Sequence, residues 1–167
     1  MSFELNILSV GQKEVTRFRE NMSIIIKNEV EDEDEARYFE IWPFMCSTKG
    51  IWYTLGVIYR GIYNAVPICS SDFELDSNLI PIPQWITDES VKDSLTPLII
   101  NEKFIKEFKE IIELLINDSP LKTIMFHSRY QCPDYEVIQG VLTLENFYKQ
   151  LESNKILFNV CYIIRLC

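Results

Sequence analysis

The sequence predicts an α+β fold, a mainly antiparallel sheet with helices packed on one face, in a single domain spanning residues 1–167. Three observations predict it. Apolar residues recur at helical spacing in the windows 101–117 and 143–153. Five other windows (3–10, 36–46, 51–63, 122–130 and 156–165) are rich in β-branched and aromatic residues or alternate apolar with polar. The chain has 167 residues, 47% of them apolar and 13% aromatic, so it is long and apolar enough to fold around a core. A chain of this size buries roughly 70% of its unfolded surface.

Phe3, Leu5 and Ile7 alternate with Glu4 and Asn6, the period of a half-buried strand, and Gly11 ends it. Val15, Phe18, Met22, Ile25 and Ile26 then return at helical spacing, with Lys13, Glu14, Arg17 and Glu20 between them. That spacing predicts a short helix, with Ile24–Ile26 as a strand in the competing reading. Residues 29–35 read Glu-Val-Glu-Asp-Glu-Asp-Glu, a like-charge run that repels itself and solvates as a loop or frayed helix start. Tyr38, Phe39, Ile41, Trp42 and Phe44 mark a strand that Pro43 confines to an edge or a bulge.

The window 51–63 combines aromatic and β-branched residues with Gly56 and Gly61. It favours a strand over a helix, bent at one of those glycines. Residues 67–100 carry Pro67, Pro81, Pro83 and Pro97 and form a long irregular connection. Connections of this length in a small domain are often functional. Asn101 opens the clearest helix, where Phe104, Ile105, Phe108, Ile111, Ile112 and Leu115 make one wide apolar stripe. Asn117 to Pro120 stops it. Residues 122–130 form a strand, 131–134 a turn, and 136–142 another short element. Thr143 caps a helix carrying Leu144, Phe147, Tyr148 and Leu151. The closing run Ile156–Ile164 is apolar on both faces, which places it at the centre of the sheet.

Composition excludes several functions. The 16 basic residues are scattered among 25 acidic ones, for a net charge of -9, so no phosphate-binding surface forms and nucleic acid is not the expected partner. A membrane span over 51–69 fails on Arg60, since a central Arg costs about 2.5–3.5 kcal/mol. The five cysteines (46, 69, 132, 161 and 167) are odd in number and include no close pair. The chain opens without a basic leader or apolar signal core, and the expected address is the reducing cytoplasm. One histidine and dispersed cysteines do not make a zinc site, the glycines form no phosphate loop, and no cofactor is expected.

An acidic surface suits a basic partner, which it steers and complements. The run Glu31, Asp32, Glu33, Asp34, Glu35 is the strongest compositional anomaly and the first candidate contact, although such a run is more often simply solvated. Asp72, Glu74 and Asp76 share one face if that piece is extended and make a second patch. Trp85 lies in the proline-rich connection, as an exposed anchor or a core plug. The competing enzymatic reading uses His127 with Cys132 or a carboxylate in a hydrolase-type reaction, which requires imidazole and thiol within hydrogen-bond reach. On a strand His127 shares a face with Met125 and Arg129, and Cys132 lies beyond the turn, so a structural histidine is the stronger reading.

These features together resemble the small bacterial immunity proteins that neutralise polymorphic or contact-dependent toxins. The resemblance rests on acidic charge, single-domain size, cytoplasmic cysteine usage, an aromatic-rich α+β pattern and the absence of a catalytic signature. The ending also carries it: Thr-Leu-Glu-Asn-Phe-Tyr-Lys-Gln-Leu-Glu, then Lys-Ile-Leu-Phe-Asn-Val-Cys-Tyr-Ile-Ile, a helix followed by a strand. It includes no diagnostic motif, so it transfers no residue role. It implies a non-enzymatic protein that binds a cognate toxin, a basic nuclease domain being one such partner, and occludes its active site. A general interaction or regulatory domain without a toxin partner is the alternative.

Overall fold

The computed structural model describes residues 3–28, 48–69, 96–130 and 137–166. The strand expected over 36–46 lies outside them. In chain order the elements are β1 (Phe3–Val10), β2 (Ile25–Asn28), β3 (Gly50–Tyr59), β4 (Ile62–Asn64), a 3-10 turn (Val66–Ile68), α1 (Glu102–Asp118), β5 (Thr123–Tyr130), β6 (Val137–Thr143), α2 (Leu144–Glu152) and β7 (Val160–Arg165). Among the described residues the sheet has seven strands. Six run in the order β2-β3-β1-β5-β7-β6, and β4 pairs with β3. The β6–β7 pair is parallel and the others are antiparallel. The fold is therefore α+β with a mixed, mostly antiparallel sheet.

Alternation sorts the strands onto two faces. Leu5, Ile7, Tyr53, Phe126 and Tyr162 lie on one face, and both helices pack there. Phe126 meets Phe108 of α1 edge-on at 5.6 Å and Phe147 of α2 at 5.5 Å, while Phe147 meets Tyr162 at 6.3 Å. Such ring pairs contribute roughly 0.5–1.5 kcal/mol each beyond the area they bury. The six buried residues of α1 (Phe104, Phe108, Ile111, Ile112, Leu115 and Ile116) include five of the six residues of the sequence stripe and add Ile116, while Ile105 is half-buried against the core. Asn101 caps the helix by accepting from the Lys103 N–H at 3.2 Å. Ser119 ends it: its hydroxyl lies 2.8 Å from the Val10 carbonyl and 2.9 Å from that of Thr123, tying the helix end to β1 and β5.

Residues 11–24 are an irregular connection instead of the expected helix, and β2 takes up Ile25 and Ile26. The loop's polar groups find partners outside the loop that a helix would have supplied within it. The Glu107 carboxylate of α1 accepts from the Ser23 and Ile24 N–H groups, at 2.7 Å each. The Thr16 hydroxyl donates to Asp118 at 2.8 Å, and the Thr16 N–H donates to the Tyr53 hydroxyl at 2.9 Å. Arg19 pairs with Glu110. Phe18 and Met22 pack against the core, as their spacing predicts, but Val15 of the same stripe faces water at 51% exposure. Helical periodicity here records two separate core contacts of an irregular loop.

The window 51–63 folds as two strands and a tight turn. Arg60 (φ 52°) and Gly61 (φ 78°) are both left-handed, the geometry of the two-residue hairpin turns that match strand twist. Gly56 is needed for a different reason. A Cβ there would lie 2.6 Å from the Tyr63 ring, which crosses it.

The C-terminal strand is shorter than its apolar run and is not central. It spans Val160–Arg165 and lies next to the edge, between β5 and β6, while β1 and β5 occupy the centre. Residues 156–159 are buried yet outside the strand. Their backbone pairs elsewhere: Phe158 N–H with the Thr96 carbonyl (2.7 Å), Asn159 N–H with that of Ser128 (2.7 Å), and Leu98 N–H with that of Ile156 (2.7 Å). Asn159 adopts φ 63° and turns the chain into the strand. Through the β6–α2–β7 crossover both edges of β7 are paired, with parallel β6 on one side and β5 on the other, although the strand is not central.

Candidate interaction surface

Glu31, Asp32, Glu33, Asp34, Glu35, Asp72, Glu74, Asp76 and Trp85 all lie outside the described residues. Cys132 does too. The described part nevertheless places the remaining candidate chemistry, His127, and one surface that the sequence reading did not single out.

His127 lies on β5, on the sheet face opposite the helices, with Met125 and Arg129 on the same side, as strand alternation requires. Across the ladder it pairs with Asn6 of β1 and Cys161 of β7. Directly opposed residues on antiparallel strands have Cα atoms roughly 4.5–5.5 Å apart. The thiol beside this imidazole is therefore that of Cys161, which no local pattern could have revealed. It depends on the register between two strands more than thirty residues apart.

The environment makes this pair a poor catalytic site. His127 is 2% exposed and Cys161 0%. Burial, and then the positive charge of Arg129, push the His127 pKa down to about 3. A general base works best with a pKa near the working pH, so a neutral imidazole this weakly basic is poorly matched to activating a thiol at neutral pH. Asn6, at 5% exposure, continues the polar row to β1.

The surface lies at the other end of the sheet, on the β3–β4 hairpin. Ile58, Tyr59 and Ile62 are 57%, 52% and 67% exposed around the Arg60-Gly61 turn. Ile25 of the adjoining edge strand β2 is 37% exposed. Tyr59 and Ile62 are cross-strand partners, and so are Ile58 and Tyr63. The Arg60 guanidinium carbon sits 5.2 Å from the Tyr59 ring centre and Lys27 Nζ lies 4.1 Å over Tyr63. The Tyr63 hydroxyl donates to the Thr54 carbonyl at 2.9 Å, which ties the hairpin back onto β3. The tip is thus held firmly while its apolar side chains face water.

Charge sets this region apart as well. Residues 21–28 and 48–69 contain Lys27, Lys49 and Arg60 and no Asp or Glu, in a chain of net charge -9. Among the described residues, two carboxylates of neighbouring elements have partners of their own. Glu107 holds the Ser23 and Ile24 N–H groups, and Glu4 lies 3.9 Å from Arg129. The hairpin was legible in the sequence as Ile-Tyr-Arg-Gly-Ile-Tyr, two β-rich pairs about a two-residue turn ending in glycine.

Among the described residues no group of three or more His, Cys, Asp or Glu is placed to hold a metal ion, and no helix is long and apolar enough to cross a membrane. In comparisons with known proteins the chain matches no family model, no curated protein and no solved structure.

Proposed function

We propose that this chain is a non-enzymatic immunity protein of the bacterial cytoplasm, which binds a cognate toxin domain and blocks its active site. The observation that carries the reading is the β3–β4 hairpin. It presents Ile58, Tyr59, Arg60 and Ile62 to solvent on a sheet-anchored turn. Tyr and Arg are residue types that dominate binding energy at protein interfaces. The acid excess supports it too, since Glu31–Glu35, with Asp72, Glu74, Asp76 and Trp85, would complement basic surface around the toxin's site, as on a nuclease domain. The buried, weakly basic His127 favours binding over hydrolysis.

The test is calorimetric titration of the full chain into the purified toxin domain encoded beside its gene, with that domain's activity assayed in parallel. Saturable binding that abolishes activity is the expected result. Charge reversal across 31–35 should weaken it, and unchanged affinity would remove that run from the interface. Binding without inhibition would favour a general interaction domain instead.

A further inference from the structure

From the hairpin we infer that this chain docks a partner cleft with apolar walls and carboxylates at its base, with Arg60 entering deepest. The inference rests on the toxin-binding reading and specifies the chemistry of the partner. It adds a contact of opposite charge to the acidic run.

Shape comes first. A two-residue turn flanked by exposed Ile58, Tyr59 and Ile62 is a narrow convex element, and a convex apolar element buries its surface only in a concavity. The choice of residues comes second. A turn with two left-handed positions favours Asn, Asp or Gly at the first of them. The chain instead places Arg60 there at φ 52° and accepts the strain that left-handed backbone imposes on a side chain. It also keeps two isoleucines and a tyrosine in water. Each choice works against folding and solubility, and local departures of this kind concentrate at functional sites. Charge comes third. Arg60 and Lys27 flank the exposed side chains, and no carboxylate in 21–28 or 48–69 neutralises them. A guanidinium carried into an apolar cleft must be paired there, and a carboxylate is the bidentate partner its geometry fits. Nucleic acid is a poor alternative, since three cations on an acidic chain make too sparse a phosphate-binding surface.

The experiment uses the full chain and the same toxin domain. Affinity is measured by calorimetry for the unaltered protein, R60N, R60E and the double variant Y59S/I62S, with thermal melts of each. Asn-Gly is the preferred pair for this turn, so R60N should melt no lower than the parent while binding at least tenfold more weakly. R60E should lose more, and Y59S/I62S at least tenfold. Replacing a cleft carboxylate of the toxin by Lys should weaken the parent and restore part of the affinity of R60E. Tight binding that survives R60E and Y59S/I62S would overturn this inference and leave the immunity reading standing. Failure of the unaltered chain to bind would overturn both.

Discussion

Acidification should destabilise this protein through its one histidine, and the size of the effect follows from the position of that residue. In the unfolded chain an imidazole titrates near 6.5. In the fold, burial and the neighbouring Arg129 push His127 down to about 3. The unfolded state therefore binds a proton that the folded state refuses. The resulting stability is complete above pH 6.5 and is lost progressively as pH falls toward 3. Linkage gives a slope of about 1.4 kcal/mol per pH unit within that window, or about 2 kcal/mol lost by pH 5. For a domain of ordinary stability, about 5–15 kcal/mol, that is a substantial share. Carboxylates titrate in the lower part of the window, so the effect is isolated by comparison with H127Q, which keeps a polar side chain but cannot titrate there. Urea unfolding of both proteins at pH 7.5, 6 and 5 measures it. The parent should lose about 2 kcal/mol more than H127Q between the first and last. Because the chain has a single histidine, one imidazole resonance reports the native titration directly. Parallel stability curves for the two proteins, or a native histidine titrating near 6.5, would refute the reasoning.

R60N should raise stability by about 1 kcal/mol, because a left-handed Arg costs roughly that much and Asn adopts the conformation more readily; denaturant melts check it. Cys69 is 5% exposed and burial pushes its thiol up to about 12. Site-mapped iodoacetamide labelling at pH 8 should leave it unmodified in the native protein and modify it in urea. Removing residues 156–167 deletes β7, the neighbour of both β5 and β6, together with buried Ile156, Leu157 and Phe158. Such a truncation should lose its cooperative thermal transition, and a soluble fragment that melts sharply would contradict the placement.

What the sequence disclosed depended on whether the determining contacts were local. Helix α1 was legible nearly to the residue, because its cap (Asn101), its stripe and its stop are all written between Asn101 and Pro120. The Thr143 cap of α2 was legible for the same reason: its hydroxyl accepts from the Asn146 N–H at 3.1 Å. Residues 11–24 failed the same test. Phe18 and Met22 keep helical spacing, but the loop is decided by Glu107, Glu110 and Asp118, 83 to 102 residues further along the chain. The apolar run at the C-terminus misled in another way. Burial on both faces shows that a segment is enclosed, not that it is central, and Ile156, Leu157, Phe158 and Asn159 of that run are enclosed without being strand at all.

The same distinction bears on function. His127 and Cys132 are five residues apart and invite a catalytic pairing by proximity; Cys132 lies outside the described residues, and strand register sets His127 beside Cys161 and Asn6 in a buried row. A titratable group deep in a sheet acts on stability before it can act on a substrate. At the hairpin the order is reversed. Arg60 strains its turn, and Ile58, Tyr59 and Ile62 stay in water, so these residues add little to the fold that holds them. If the fold alone had shaped the hairpin, Asn-Gly with polar neighbours would serve it better. The side chains that stability does not explain are the ones that a partner would.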